Sequence, residues 1–195
     1  MKIIILLSAC IDPKGMSHTY LIDKREREKQ YIDTLNFYLE HTKLDIVFTE
    51  NSGNDISGNF EKFIEENRLE ILTYKTDSAN RFRGKGYEET EIIEYALNYS
   101  KKIDEECILI KITGRIIIEN INNIITSYKW SFLKNTIQCN MNSNFSFADS
   151  KIIIAPSRFY RKLLINKIFI NDSKGQYLEH ILSKTIKEQH LFYYS

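Results

Sequence analysis

A series of short, bulky apolar runs, each separated from the next by a polar or amphipathic stretch, constrains this chain more than any other feature. The runs are Lys2–Ala9, Leu44–Thr49, Leu69–Tyr74, Cys107–Ile110 and Lys151–Ala155. Cys107-Ile108-Leu109-Ile110 is almost continuously apolar, as expected for a strand covered on both faces. Between the runs, apolar residues recur at helical spacing. Asp23–His41 carries Tyr31, Ile32, Leu35, Tyr38 and Leu39, and a later segment opening with Glu88 carries Ile92, Ile93, Ala96 and Leu97. Shorter helices are predicted over Phe60–Asn67, Ile121–Tyr128 and Gln176–Gln189, and over Arg158–Asn166 after the favourable start Pro156-Ser157. Trp130–Cys139 reads as a helix or an irregular segment, and Leu191–Tyr194 as a last strand. Strands alternating with helices predict an α/β fold with a mainly parallel sheet and helices on both faces.

The 195 residues and 43% hydrophobic content suffice for one good core, so a single domain over 1–195 is the simplest expectation. The 27 basic and 26 acidic residues nearly cancel, so any anion site must be a local cluster. Cys10, Cys107 and Cys139 are odd in number and widely spaced, which reads as reduced packing residues in a cytoplasmic protein. The opening MKIIILLSACID has the look of a signal peptide, but Asp12 and Pro13 cut the apolar run short, and a first core strand is the better reading. No later run approaches the roughly 18 apolar residues needed to span a bilayer. Neither G-x-G-x-x-G after the first strand nor G-x-x-x-x-G-K-[ST] occurs, which disfavours a dinucleotide dehydrogenase or a P-loop enzyme. A serine hydrolase lacks its G-x-S-x-G elbow. His18, His41, His180 and His190 show no metal-ligand spacing.

The local cluster lies between Asn80 and Asn120. Arg81, Arg83 and Lys85 surround Gly84 and Gly86, so a backbone able to approach a ligand closely carries cations beside it. Glu88, Glu89 and Glu91 follow at the positive end of the helix dipole. The apolar run at 107–110 then exits through Lys111, Thr113, Gly114 and Arg115, and the carboxyl end of a strand is where open α/β sheets bind ligands. The ordinary alternative for the glycine-flanked Lys85 is a surface loop.

In their order, the first strand with its polar end, FTENSGNDIS, GKGYEETEIIEYAL, IKITGRIIIENI, FADSKIII followed by FYRKLL, and QYLEHIL resemble the small bacterial GT-A-type glycosyltransferases of capsule, lipooligosaccharide and O-antigen assembly. The resemblance covers roughly Lys2 to Ile186 and implies a single GT-A-like, Rossmann-like domain. It implies donor-nucleoside contacts from Ser8 to Asp12 and from Glu50, Asn51 and Ser52. It places Arg81, Lys85, Gly86 and Tyr87 along the donor diphosphate. Thr113, Gly114 and Arg115 stand where many such enzymes carry an Asp-x-Asp metal motif. That motif is absent, which leaves a divalent metal cofactor open, with Asp12, Asp149 and Glu179 as the ligands to consider. Arg115 and Lys85 are the cations available to stabilise the leaving group. Asp149 and Glu179 are the candidates for the base that takes the acceptor proton; their ordinary readings are a turn residue and a solvated helix carboxylate. Glu88 reads as a helix-start carboxylate. The implied partners are a nucleotide-sugar donor and a saccharide or lipid-linked saccharide acceptor, with no nucleic acid. The implied location is cytoplasmic, compatible with peripheral association at the inner face of the membrane. Two other functions fit less closely: a sugar nucleotidyltransferase, which usually has a Gly-rich basic loop after its first strand where this chain has ACIDPKG, and a non-catalytic nucleotide-binding or interaction module.

Overall fold

The computed structural model describes residues 2–14, 16, 19–127, 136–188 and 192–194. The strands are β1 (Ile3–Ala9), β2 (Asp45–Glu50), β3 (Leu69–Thr73), β4 (Ile108–Thr113), β5 (Thr136–Gln138), β6 (Ile152–Pro156) and β7 (Phe192–Tyr194). The helices are α1 (Lys24–His41), α2 (Glu61–Glu65), α3 (Lys85–Tyr99), α4 (Ile121–Ser127), α5 (Ser157–Ile165) and α6 (Leu178–Glu188). All strands join one sheet of order β3-β2-β1-β4-β6-β5-β7. β1 to β4 run parallel, β6 is antiparallel to both its neighbours, and β5 pairs parallel with β7. Both faces are covered. Ile4, Leu6, Val47 and Leu109 pack under α3, α5 and α6 through Ile93, Ala96, Tyr160, Leu163 and Leu182. Ile5, Leu7, Phe48 and Ile110 pack under α1 through Tyr31, Leu35 and Tyr38. The expected α/β architecture is the one the chain adopts.

Several boundaries differ from the expected ones for local reasons. The second helix stops at Glu65, because Asn67 turns into the left-handed region at φ 54°. Pro156 ends β6 and caps α5, so that helix begins at Ser157. Asp23 is the N-cap of α1, accepting from the Glu26 amide at 2.8 Å. Of the segment Trp130–Cys139, residues 130–135 lie outside the described residues. Thr136–Gln138 is a strand inserted between β6 and β7, and so a correction: a strand of this length carries no readable alternation. Tyr128, Gln189 and Leu191 also lie outside the described residues.

The glycines before α3 serve packing. Gly84 adopts φ +96°, and a Cβ there would overlap the Asp172 carboxylate, which itself accepts from the Gly86 amide at 3.1 Å. A distant turn therefore caps the first turn of α3. Gly84→Ala combines a forbidden backbone region with this clash. It should lower the unfolding free energy by about 2 to 4 kcal/mol in urea titration; an unchanged midpoint would mean that the Asp172 turn gives way without cost.

Candidate functional site

A cavity of about 330 Å³ opens at the carboxyl ends of β1 and β4. Parallel pairing sets its floor, for Ser8 lies in register between Thr49 and Thr113. Ser8, Thr113 and Arg115 come from the two strand ends, Lys85, Glu88 and Glu89 from the first two turns of α3, and Arg27 and Tyr31 from α1.

Beneath the floor is an ion pair that the sequence pattern misplaced. Lys111, expected at the strand's exit, stands inside β4 with no exposed surface. Its ammonium contacts Glu89 Oε1 and donates to the Ser150 carbonyl at 2.6 Å. The same Glu89 oxygen accepts from Ser8 Oγ at 3.0 Å and from Thr113 Oγ1 at 3.3 Å. A charge taken out of water needs such partners, so the lysine fixes the carboxylate and the carboxylate aligns both hydroxyls. A lone lysine in the run ILIKIT was the available signal, together with the second glutamate of the Glu88-Glu89 pair.

Behind Glu89 lies Glu88, 1% exposed. Asn51 Nδ2 donates to its Oε2, while among the described residues Glu88 Oε1 and Asn51 Oδ1 have no hydrogen-bond partner. Burial pushes the Glu88 carboxyl up to about 7, against the downward pull of Arg81 and of hydrogen bonds from Thr76 and Asn51. At the mouth, Lys85 is exposed on the first turn of α3. Arg115 donates from Nη1 to Gln30 Oε1 at 2.9 Å, and its buried Nε has no partner among the described residues. These two cations face the same opening.

Other expected site residues are engaged elsewhere. Glu50 is fully buried and accepts from the amides of Ile11, Ser52 and Asn54, each at 2.9 Å. Ser52 Oγ accepts from the Asp12 amide at 2.9 Å. With Asn51 holding Glu88, this trio ties the loop after β1 to the end of β2. The Arg81 guanidinium donates to the carbonyls of Asp12 and Lys14. Tyr87 is 7% exposed, with the Arg83 guanidinium 3.8 Å from its ring centroid, and Gly86 packs on Leu178 and Asp172. Gly114 lets β1 and β4 close together, since a Cβ would stand 2.7 Å from the Ser8 carbonyl. Asp149 holds its own turn, accepting from the Lys151 amide at 2.8 Å. Glu179 accepts from Ser150 Oγ at 2.7 Å and so reaches the Lys111 centre only through Ser150. Arg27 and Tyr31, unremarked in the sequence beyond a helical stripe, clamp the Cys10 carbonyl; Arg27 Nε donates to it at 2.8 Å.

No protein-family profile and no curated protein matches the sequence. Solved structures do match the fold. The chain superposes on the bifunctional glycosyltransferase WbbM with a TM-score of 0.56 at 8% identity, over 96% of this chain and 38% of that one. A cytidylyltransferase from Leptospira borgpetersenii serovar Hardjo-bovis gives a TM-score of 0.46 at 18% identity, over 100% and 76% of the two chains. The corresponding figures for 4-diphosphocytidyl-2C-methyl-D-erythritol synthase are 0.44 and 10%, over 89% and 84%. The fold is thus GT-A-like and Rossmann-like, with its cavity at the strand ends where open α/β sheets hold ligands.

Two outcomes follow from the geometry. Lys111→Met leaves Glu89 without its buried partner and should cost about 3 kcal/mol in chemical denaturation; a loss below about 1 kcal/mol would show that the pair is dispensable. The folded protein also holds the Glu88 proton more tightly than the unfolded chain. That contribution is fully present below pH 4.5 and is lost as the pH rises through about 7. Melting temperatures of wild type and Glu88→Gln should therefore diverge in the variant's favour across this window, and a constant gap would contradict the buried carboxyl.

Proposed function

We propose that the protein transfers a sugar from a nucleotide-activated donor to a saccharide acceptor in surface polysaccharide or lipooligosaccharide assembly. The observation that carries this reading is where the anion-binding groups are available. Directly after β1 the amides of residues 10 to 12 and 14 are engaged: Cys10 donates to Tyr31 Oη at 3.0 Å, Ile11 to Glu50 and Asp12 to Ser52 at 2.9 Å, and Lys14 to Asp12 at 3.2 Å. Nucleotidyl transfer would need that loop to cradle a triphosphate, and the amides of Cys10, Ile11, Asp12 and Lys14 are already committed within the protein. Lys85 and Arg115 instead flank the cavity from α3 and the end of β4, which suits a departing diphosphate.

In this reaction the acceptor hydroxyl attacks the anomeric carbon, the bond from that carbon to the diphosphate oxygen breaks, and the hydroxyl proton passes to a carboxylate. Lys85 and Arg115 take up the charge that develops on the diphosphate. Glu88 lines the cavity and titrates near neutrality, which suits the proton acceptor; Asp149 and Glu179 are assigned supporting roles because neither lines the cavity. The residues do not fit a divalent cation. Glu89, between Ser8 and Thr113, would be its natural ligand, but the Lys111 ammonium already sits against that oxygen. Among the described residues no three His, Cys, Asp or Glu side chains converge.

Lys85→Ala or Arg115→Ala should weaken nucleoside diphosphate binding by about 1 to 3 kcal/mol in calorimetry, and unaltered affinity in both removes the diphosphate assignment. Glu88→Gln should leave that binding intact while abolishing transfer, whereas Asp149→Asn and Glu179→Gln retain activity; the reverse pattern would return the base to the late segment. Pyrophosphate release from a nucleoside triphosphate and a sugar phosphate would favour nucleotidyl transfer, and nucleotide binding without turnover of any nucleotide sugar would favour a binding module.

A further inference from the structure

We propose that the cavity floor reads adjacent hydroxyl groups of the transferred sugar, because Ser8, Thr113 and Glu89 form a surface that accepts hydrogen bonds and donates none. The inference rests on the transfer reading above and adds which part of the donor lies deepest. Hydrogen-bond direction carries it. A serine or threonine hydroxyl has one hydrogen to give, and a carboxylate has none. Ser8 Oγ donates its hydrogen to Glu89 Oε1 at 3.0 Å, and Thr113 Oγ1 donates to the same oxygen at 3.3 Å. Glu89 is the partner of the buried Lys111 ammonium, so it receives from both hydroxyls. Each hydroxyl is left with lone pairs only, and Glu89, which also lines the cavity, adds a further acceptor.

The neighbouring amides are committed as well. Thr113 donates to the Lys151 carbonyl and Gly114 to the Ser8 carbonyl, each at 2.9 Å, and Cys10 donates to Tyr31 Oη at 3.0 Å. Lys111 has no exposed surface, and it serves Glu89 and the Ser150 carbonyl from beneath. A phosphate or carboxylate placed on this floor would therefore meet acceptors, at the cost of its own hydration. The cations Lys85 and Arg115 stand at the mouth instead. A sugar joined to a diphosphate has the matching polarity, with anionic oxygens at one end and hydroxyl hydrogens at the other.

Ser8 and Thr113 are in register on adjacent strands and bond one oxygen, so neighbouring hydroxyls of a single ring can reach both. The proposed chemistry identifies that ring as the transferred sugar. Glu88, the proton acceptor, directly precedes Glu89 and lines the same cavity, and the anomeric carbon has to lie between it and the cations that hold the diphosphate. Ser8 then serves the sugar, where its strand-end position alone suggested the nucleoside. Glu89 is a positioning residue that sets the direction of both hydroxyls.

The test is calorimetry with UDP-, GDP-, TDP- and CDP-linked hexoses, then with analogues of the tightest binder in which one sugar hydroxyl at a time is replaced by fluorine, which cannot donate. Fluorine at either of two adjacent positions is expected to weaken binding by at least about fivefold. Ser8→Ala and Thr113→Val should each lose a similar factor with the parent compound, and no more with the analogue fluorinated at the position that the missing hydroxyl reads. Thr113→Ser should keep the wild-type discrimination. Glu89→Gln with Lys111→Met removes both buried charges together and lets the hydroxyls turn, so it should bind parent and fluorinated compounds alike. Melting curves establish that each variant folds, and the serine and threonine variants test the proposal even if the double variant does not fold. Affinity indifferent to fluorine, or losses that simply add, would overturn the proposal and leave the transfer reading standing. Coupling of either variant to a 2′- or 3′-deoxyribose instead would overturn it in favour of the nucleoside. If none of the nucleotide sugars binds, the transfer reading and this proposal fall together.

Discussion

The buried ammonium of Lys111 is the point on which the candidate site depends. It lies in the middle of a strand with no access to water, so its charge must be answered from within the fold. The answer comes from Glu89 on α3 and from the Ser150 carbonyl just before β6. One cation thus joins the parallel half of the sheet, the helix over it and the strand that reverses direction. The carboxylate it holds in turn fixes Ser8 and Thr113 at adjacent strand ends. The hydroxyls of the cavity floor are preorganised by an electrostatic demand that originates beneath them.

The rest of the site divides into groups that hold and groups that remain available. Glu50, Asn51, Ser52, Arg81 and Arg27 bind loop amides and carbonyls or neighbouring side chains. Their work fixes the path of the chain after β1. What remains facing the cavity is a small set: two cations at its mouth, two carboxylates at its back, and the hydroxyls on its floor. A rigid frame around few convergent polar groups is the usual construction of a ligand site.

The alternation of strand and helix was legible in the sequence because burial on both faces leaves near-continuous apolar runs. The three-residue strand Thr136–Gln138 was not, since a strand that short has no period to read. The candidate site was legible only in part. Ser8, Lys85, Thr113 and Arg115 line the cavity as expected from strand ends and a helix start. Glu50 and Ser52 have the same sequence signature, polar residues after an apolar strand, yet serve the neighbouring loop. Short polar side chains at strand ends satisfy either a ligand or a backbone, and which one depends on loops distant in sequence. Gly84 and Gly86 pose the same ambiguity: close approach was expected, and the group approached is Asp172, 86 residues from Gly86.

That last contact sets an order of assembly. β1 to β4 are complete once residue 113 is made, and their pairings need nothing later in the chain. The start of α3, which carries Lys85, Glu88 and Glu89, is capped by Asp172 and packs at Gly86 against Leu178, both from the late segment. During synthesis, a chain emerging N-terminus first can form the parallel half of the sheet while the helix end that furnishes the cavity is still uncapped. The candidate site is therefore finished by the late segment, and a nascent chain acquires its scaffold well before its chemistry.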